Sequence, residues 1–387
     1  MDLDIPREIF LLVGGNAQGK TTLLEAIYFL SVFSSFHAST DRQLINFTLP
    51  KDQLTVGRIV AEFERRDGTQ RIEVRLIREP NGVNGAARFR KEVLLNNVKR
   101  KVNEVVGYLN VVIFLPQMAR IIEDGPAERR RYLDMLISQV SPSYVQHLTD
   151  YHQTLSQRNA LLKQLFDRGG DSGQLAVWDG MLARHGALIM AERIRAIREL
   201  EVEAKRAHYD LTHGKEVLRL DYQPAFEPLS MPEGQMTLPV ATVADRSGLA
   251  QEEIEHGMLT SLKKRQREEI ARGVTTIGPH RDELRFLSNQ VDLGDFGSRG
   301  QGRTALLAMK MAEVNWLQQR TGEWPVLLLD EIMSELDTIR RADLLSVLAE
   351  CDQAILTSTD LSMFEQDFLT SHPIWRVEGG MVKIDAV

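Results

Sequence analysis

Apolar residues recur along this chain with two different periods. Ile9-Phe10-Leu11-Leu12-Val13 is an unbroken apolar run that stops at Gly14, the pattern of a buried strand feeding a loop. After Thr21, residues Leu23, Leu24, Ala26, Ile27 and Leu30 return at helical spacing. Residues 54–63 (Leu54, Val56, Ile59, Ala61, Phe63) and 70–78 (Ile72, Val74, Leu76) read as two strands, with Arg65-Arg66-Asp67-Gly68 as the turn between them. Asn81–Gly85 reads as a loop, and Val93-Leu94-Leu95-Asn96-Asn97 as a short strand and turn. The whole segment predicts an antiparallel subsheet. Val111–Phe114 is a further buried strand, stopped by Pro116.

From Gly125-Pro126 onward the helical period dominates. Residues 127–165 are helix-prone with a break near Ser141-Pro142, 166–173 form a tight polar loop, and a second long helix covers 174–212. Two long helices with a short connector make an antiparallel hairpin. At ~1.5 Å per residue, an arm of ~35 residues reaches only ~50 Å. Residues 223–239 are Pro-rich and read as a loop. Residues 247–271 read as one more helix, carrying Lys263, Lys264, Arg265 and Arg267, and strand signals resume at Val274-Thr275-Thr276-Ile277. Val326–Leu329 is a fully apolar strand that ends in Asp330-Glu331. There are no internal repeats and no low-complexity tail.

Composition narrows the class. A chain of 387 residues with 43% hydrophobic and 26% charged residues is an ordinary globular protein with room for two or three cores. No apolar run approaches the ~20 residues of a bilayer span, so no membrane partner is expected. Met1–Pro6 is acidic and lacks a signal peptide's basic region and cleavage site. Cys351 is the only cysteine, which excludes a disulfide framework and fits a reducing, cytoplasmic setting; it reads as a small buried apolar residue. The net charge of −7 argues weakly against nucleic acid, yet residues 51–110 hold 13 Lys/Arg against 8 Asp/Glu. That segment is a candidate basic face for phosphate backbones, and a solvated polar surface explains the charge equally well.

The chemistry lies at the two ends of the chain. Gly14-Gly15-Asn16-Ala17-Gln18-Gly19-Lys20-Thr21, followed by Thr22, matches the phosphate-binding loop in its required strand–loop–helix context. Backbone N–H groups from Gly14, Asn16, Gln18 and Gly19 converge on phosphate oxygens there, Lys20 reaches the β- and γ-phosphates of ATP, and the Thr21 hydroxyl ligates Mg²⁺. At the far end, Asp330 is placed to hold Mg²⁺ through water and Glu331 to polarise the attacking water. A buried parallel strand explains the apolar run before them but not the paired carboxylates. Phe296-Gly297-Ser298-Arg299-Gly300-Gln301-Gly302-Arg303-Thr304 is polar, Gly-rich and followed by the apolar stripe Leu306, Leu307, Met309, Val314 and Leu317. A capped helix would account for it alone. As a second anion site in a chain that already has one, its economical ligand is the γ-phosphate held by a second copy.

These segments resemble an ATP-binding-cassette head: Ser298, Gly300 and Gln301 resemble its signature, which acts in trans, and Ser334-Glu335-Leu336-Asp337 the loop after its acidic motif. The insert between Lys20 and Ser298 is longer than in transporter subunits and shorter than the coiled coil of SMC heads. The match is closer to the RecF family of DNA replication and repair proteins. It is carried by Gly19-Lys20-Thr21 with Leu24-Glu25-Ala26, by Gly125-Pro126-Ala127-Glu128-Arg129-Arg130-Arg131-Tyr132-Leu133-Asp134, by Trp178-Asp179, by Gly278-Pro279-His280-Arg281-Asp282, by Phe296 to Thr304, and by Asp330 to Asp337 with Arg340-Arg341.

The resemblance implies an α/β fold: a P-loop ATPase lobe with an antiparallel β-subdomain, split between 1–125 and 272–387, and a mainly helical lobe at 126–271. It implies ATP and Mg²⁺ as cofactors and an ATP-dependent homodimer on double-stranded DNA and single/double-strand junctions. Hydrolysis would be weak, DNA-stimulated and would reset the dimer, in single-strand gap repair with RecR, RecO and, downstream, RecA. Thr359 in Thr357-Ser358-Thr359-Asp360 falls where the family keeps a switch residue facing the γ-phosphate, and Gln117 where cassette ATPases keep a Mg²⁺-linked glutamine.

This chain also departs from the pattern. The family usually places another strand and an Asn-Phe-Arg-Asn-Tyr-like segment before the glycine loop; here 13 residues precede Gly14, which points to a misplaced start or a truncated chain. Ser35-Phe36-His37-Ala38 stands where the family has Ser-x-Arg-Thr. Arg129–Arg131 reads as a DNA-facing patch or as a set paired with Glu128 and Asp134, and His280 as a turn or lobe-junction residue. No further metal cluster is legible. The competing readings are a transporter ATPase subunit and a DNA- and RecR-binding adaptor with a degenerate nucleotide site.

Overall fold

The computed structural model describes residues 1–38, 40–46, 48–50, 53–80, 88–228 and 244–384. The loop expected at Asn81–Gly85 and most of the Pro-rich 223–239 segment lie outside them. The strands are β1 (Ile9–Val13), β2 (Thr55–Arg65), β3 (Gly68–Glu79), β4 (Arg88–Leu95), β5 (Val98–Arg100), β6 (Val111–Phe114), β7 (Leu218–Gln223), β8 (Glu283–Ser288), β9 (Val291–Asp292), β10 (Val326–Asp330), β11 (Ala354–Ser358), β12 (Ile374–Glu378) and β13 (Met381–Ile384). The chain divides into two units, Met1–Gln117 with Glu313–Val387, and Met118–Ala312.

The first unit is α/β. Its main sheet has the order β13-β12-β1-β11-β10-β6, parallel throughout except for the edge strand β13. Phe10, Leu11, Leu12, Val111, Val112 and Leu327 to Leu329 are fully buried, because a parallel sheet is covered on both faces. Phe10 also packs on Trp375 of β12, ring centroids 4.8 Å apart. β1 ends at Gly14 directly against β12: a Cβ there would stand 2.4 Å from the Val377 carbonyl oxygen, so glycine is the only residue that fits.

The second sheet of this unit is the antiparallel β2-β3-β4-β5. Its β4–β5 turn is Asn96-Asn97, with φ of 50° and 65°, the left-handed pair that a two-residue hairpin turn demands. Much of the basic segment 51–110 is consumed here. Arg58, Arg71 and Arg75 converge on Glu73, Arg90 and Lys99 on Glu92, and Lys91 on Asp41. Glu73 is buried, and its carboxyl is held down to about 2, first by the hydrogen bond from Arg58 and then, against the penalty of burial, by Arg75.

The second unit is mainly helical. Ser141 caps the helix Pro142–Arg168 by accepting from the Tyr144 amide at 3.2 Å. That helix pairs with Leu175–Leu211 as the expected hairpin, and Gln251–Arg272 packs on both. Two buried arginines tie the helices together. Arg158 reaches Asp179, Glu269 and Thr275, each at 2.7 Å. Arg193 reaches Asp134 at 2.7 Å and the Pro279 carbonyl at 2.8 Å. Gly278 allows the close passage: a Cβ would meet the Tyr151 hydroxyl at 2.3 Å.

Three expectations change. Val274–Ile277 is not a strand: the Thr275 amide donates to Asn159 at 2.8 Å and the Thr276 amide to Glu269 at 2.6 Å, so side chains take the bonds a neighbouring strand would need. Arg129 pairs with Glu283 at 2.8 Å rather than with Glu128, Arg130 donates to the Asp282 carbonyl at 2.8 Å, and Asp134 serves Arg193. Sequence put the second lobe boundary at 271/272; the units change over at 312/313, because β8 pairs with β7 and β9 in a three-stranded sheet of the second unit. Among the described residues no helix is long and apolar enough to cross a membrane. Cys351 is half-buried, and burial pushes its thiol up to about 12, well away from reactivity.

Glu73→Gln lowers stability by about 1–3 kcal/mol at neutral pH in urea denaturation, because it leaves three arginines short of an acceptor. Since the folded value lies below the ordinary 4.5, the difference between wild type and variant is widest above pH 4.5 and closes as the pH falls towards 2. Gly14→Ala destabilises by about 1–3 kcal/mol through the clash with the β12 backbone; an unchanged thermal midpoint would contradict the close β1–β12 approach.

Candidate nucleotide site

Parallel strands present their C-terminal ends along one edge of a sheet, and the loops that follow them form the site. β1 leads into residues 14–19, and helix Lys20–Val32 begins at the loop's last step, Gly19, with φ of 104°. Lys20 is buried, and its ammonium group donates to the carbonyls of Gly14 at 2.6 Å and Gly15 at 3.1 Å while pairing with Glu331 at 3.0 Å. The Thr21 hydroxyl donates to the carboxylate of Asp330, with its two oxygens at 3.0 and 2.8 Å. Residues far apart in sequence thus meet in one place. Gln18 braces the loop from behind: its side-chain oxygen accepts from the Gly379 amide at 2.6 Å, its carbonyl from the Gly380 amide at 3.1 Å, and its side-chain amide touches the Asn16 carbonyl at 3.4 Å. Thr22 is exposed on the first helical turn.

Glu331 takes a left-handed backbone conformation, φ 52°. For a residue with a Cβ this costs of order 1–3 kcal/mol, a strain that persists where the surrounding structure over-determines it. The turn is held by its neighbours. Ser334 donates its hydroxyl to the Glu331 carbonyl at 2.7 Å, and the Thr359 amide donates to the Glu331 carboxylate at 3.2 Å. Asp337 caps the next helix, Thr338–Leu348, through the Arg340 amide at 2.9 Å. Gln117 meets the His37 imidazole at 3.1 Å. Ser35, in the segment that departs from the family pattern, bonds Glu25 and accepts from the His37 and Ala38 amides at 2.9 and 2.7 Å.

Thr357 is the residue that motif reading passed over. Buried in β11, it donates to the Asp330 carboxylate at 2.7 Å and accepts from the Glu331 backbone amide at 3.0 Å, so one hydroxyl ties the Asp330 side chain to the Glu331 main chain. The available signal was a threonine directly after the apolar run Ala354-Ile355-Leu356, at the head of Thr357-Ser358-Thr359-Asp360. A hydroxyl and a carboxylate are hard oxygen donors suited to Mg²⁺. A glycine turn that tolerates no Cβ and a buried lysine complete a set that fits a nucleotide phosphate.

The signature segment belongs to the second unit. Ser298 and Gln301 form a reciprocal cap: the Gln301 amide donates to the Ser298 hydroxyl at 3.2 Å and the Ser298 amide to the Gln301 side chain at 3.1 Å. Gln301 is also held by Glu216 at 3.0 Å. Gly300 accepts from the Thr304 hydroxyl at 2.8 Å. His280 lies in the same unit, between the Tyr151 hydroxyl at 2.7 Å and the Thr275 carbonyl at 3.3 Å. Burial holds its pKa down to about 4, so it is a neutral turn residue at physiological pH.

Comparison with known proteins agrees with this geometry. Residues 1–377 match the RecF/RecN/SMC N terminal domain family. The DNA replication and repair protein RecF of Chloroflexus aurantiacus is 38% identical over 394 residues, covering 99% of this chain and 95% of that protein. That of Latilactobacillus sakei is 34% identical over 384 residues, covering 99% and 94%. Among solved structures, the recombination mediator protein RecF-ATP in the RecFOR pathway superposes with a TM-score of 0.83 at 31% identity, covering 99% of this chain and 93% of that one. Its RecF-ATPrS counterpart gives 0.81 at 31%, covering 99% and 94%. The chain belongs to the RecF family of DNA replication and repair proteins, an ATP-binding family within the RecF/RecN/SMC group.

Proposed function

We propose that this protein is an ATP-controlled DNA clamp that mediates recombinational repair at single-strand gaps. The observation that carries the reading is the meeting of Lys20, Thr21, Asp330 and Glu331 in one site, with Thr357 bonded to the Asp330 carboxylate and the Glu331 backbone amide. A degenerate adaptor would have no reason to keep that arrangement. In the clamp, Gly14, Asn16, Gln18, Gly19, Lys20 and Thr22 would hold the phosphates of ATP, and Thr21, Asp330 and Gln117 its Mg²⁺. The ion supplies charge neutralisation at the phosphates. Glu331 orients and polarises the attacking water, and Thr359 holds the Glu331 carboxylate. Ser334 and Asp337 keep the following loop in shape.

Ser298, Gly300 and Gln301 complete the site of a second copy, which makes hydrolysis depend on dimerisation and keeps turnover slow. The DNA surface would draw on the basic segment 51–110. Its candidates are not Arg58, Arg71 and Arg75, which already share Glu73. Kinship with a RecFOR-pathway mediator makes RecR and RecO the expected partners, with RecA loaded downstream.

The test is sedimentation velocity with no nucleotide, ADP or ATP, each with and without duplex DNA. Wild type dimerises with ATP, and more so on DNA. Glu331→Gln keeps the dimer and loses about 10²–10⁴-fold in phosphate release, whereas Lys20→Ala loses both. A Glu331→Gln chain that stays monomeric in saturating ATP and DNA would overturn the mechanism.

A further inference from the structure

The helical hairpin carries a polar cluster that the nucleotide site does not use. His147 and Asp150 are three residues apart on helix Pro142–Arg168 and therefore share a face. His185 comes from the neighbouring helix Leu175–Leu211. All three side chains are half-buried, and one ligand atom from each lies within 4.8 Å of the others. The two imidazoles approach nitrogen to nitrogen, Nδ1 to Nδ1, at 3.2 Å. Their planes tilt by 39° with centroids 5.4 Å apart, so stacking does not set the arrangement.

Two ligand atoms bound at ~2.0–2.1 Å to one tetrahedral ion lie ~3.3 Å apart, close to the 3.2 Å between these two nitrogens, which as they stand are within hydrogen-bonding distance. The carboxylate of Asp150 is already oriented, since the Gln146 side-chain amide donates to both its oxygens at 2.9 Å. Such an outer partner is what fixes a ligand in a built metal site.

We propose that His147, Asp150 and His185 form a three-ligand site for a divalent transition-metal ion of the zinc class. Two imidazoles and one carboxylate suit zinc, cobalt or nickel and do not suit magnesium or calcium, which take oxygen donors. Three protein ligands leave a fourth position for water. The ion joins the two helices of the hairpin and stabilises the folded chain by mass action, independently of ATP.

The experiment uses the full chain, stripped with chelator, in buffer free of magnesium and nucleotide. Calorimetric titration with zinc chloride gives about one ion per chain. His147→Ala and His185→Ala each weaken the binding at least tenfold, and Gln146→Ala weakens it less. Cobalt chloride added to wild type, which requires no variant to fold, produces the intense visible absorption of a four-coordinate ion. Failure of wild type to bind zinc, equal binding by the His147→Ala/His185→Ala double variant, or the pale spectrum of hydrated cobalt would each overturn the proposal.

Discussion

Parallel pairing of Ile9–Val13 with Ala354–Ser358 is the contact on which the candidate nucleotide site depends. It sets Leu12 opposite Thr357 and Val13 opposite Ser358, and the next strand sets Asp330 opposite Thr357. Because these strands run in one direction, the loop after Val13, the carboxylates after Leu329 and the hydroxyls after Leu356 emerge at the same edge. The hydrogen bonds among Thr21, Asp330, Thr357, Glu331 and Thr359 then follow with little further adjustment. Such non-local pairing is slow to form, since loop-closure entropy must be met before any contact rewards it.

The helical unit follows another logic. Its core holds whole charges: Arg158 with Asp179 and Glu269, Arg193 with Asp134 and Asp282. Buried ion pairs are weak contributors to stability but strict about geometry. Here they fix the irregular run from Thr275 to Asp282, whose backbone is held by Asn159, Glu269 and Arg193 instead of a sheet. Asp282 in turn bonds Tyr222 and the Ala225 amide, which fastens the run to β7. In the same unit Glu216 holds Gln301 and accepts from Ser288 at 2.7 Å, so the signature helix starts from a braced end.

Local motifs were legible in the sequence because each is short and chemically restrictive. The glycine loop, the apolar strand ending in Asp330-Glu331, the capped helix after Ser298 and the long hairpin all appear from spacing alone. Legibility failed where a polar side chain substituted for regular structure. Val274–Ile277 has strand composition, yet its amides bond to side chains. The arginines of 51–110 read equally as a basic face or a solvated surface, and those of 129–131 as a DNA-facing patch or a paired set; many of them serve Glu73, Glu92, Glu283 and the Asp282 carbonyl. His147, Asp150 and His185 gave no signal, because the third residue comes from another helix.

The sequence by itself determined the candidate chemistry: a glycine loop with Lys20 and Thr21, a strand ending in Asp330-Glu331, and a helical insert between them. Those features depend on residue type and on spacing within a few positions, where backbone geometry is predictable. Only the tertiary structure decided which charges are spent on folding and which hydroxyl ties the Asp330 side chain to the Glu331 main chain. It also decided where one unit gives way to the other. Pairing between distant segments depends on burial and on competition among many possible partners, and neither is written into any single stretch of chain.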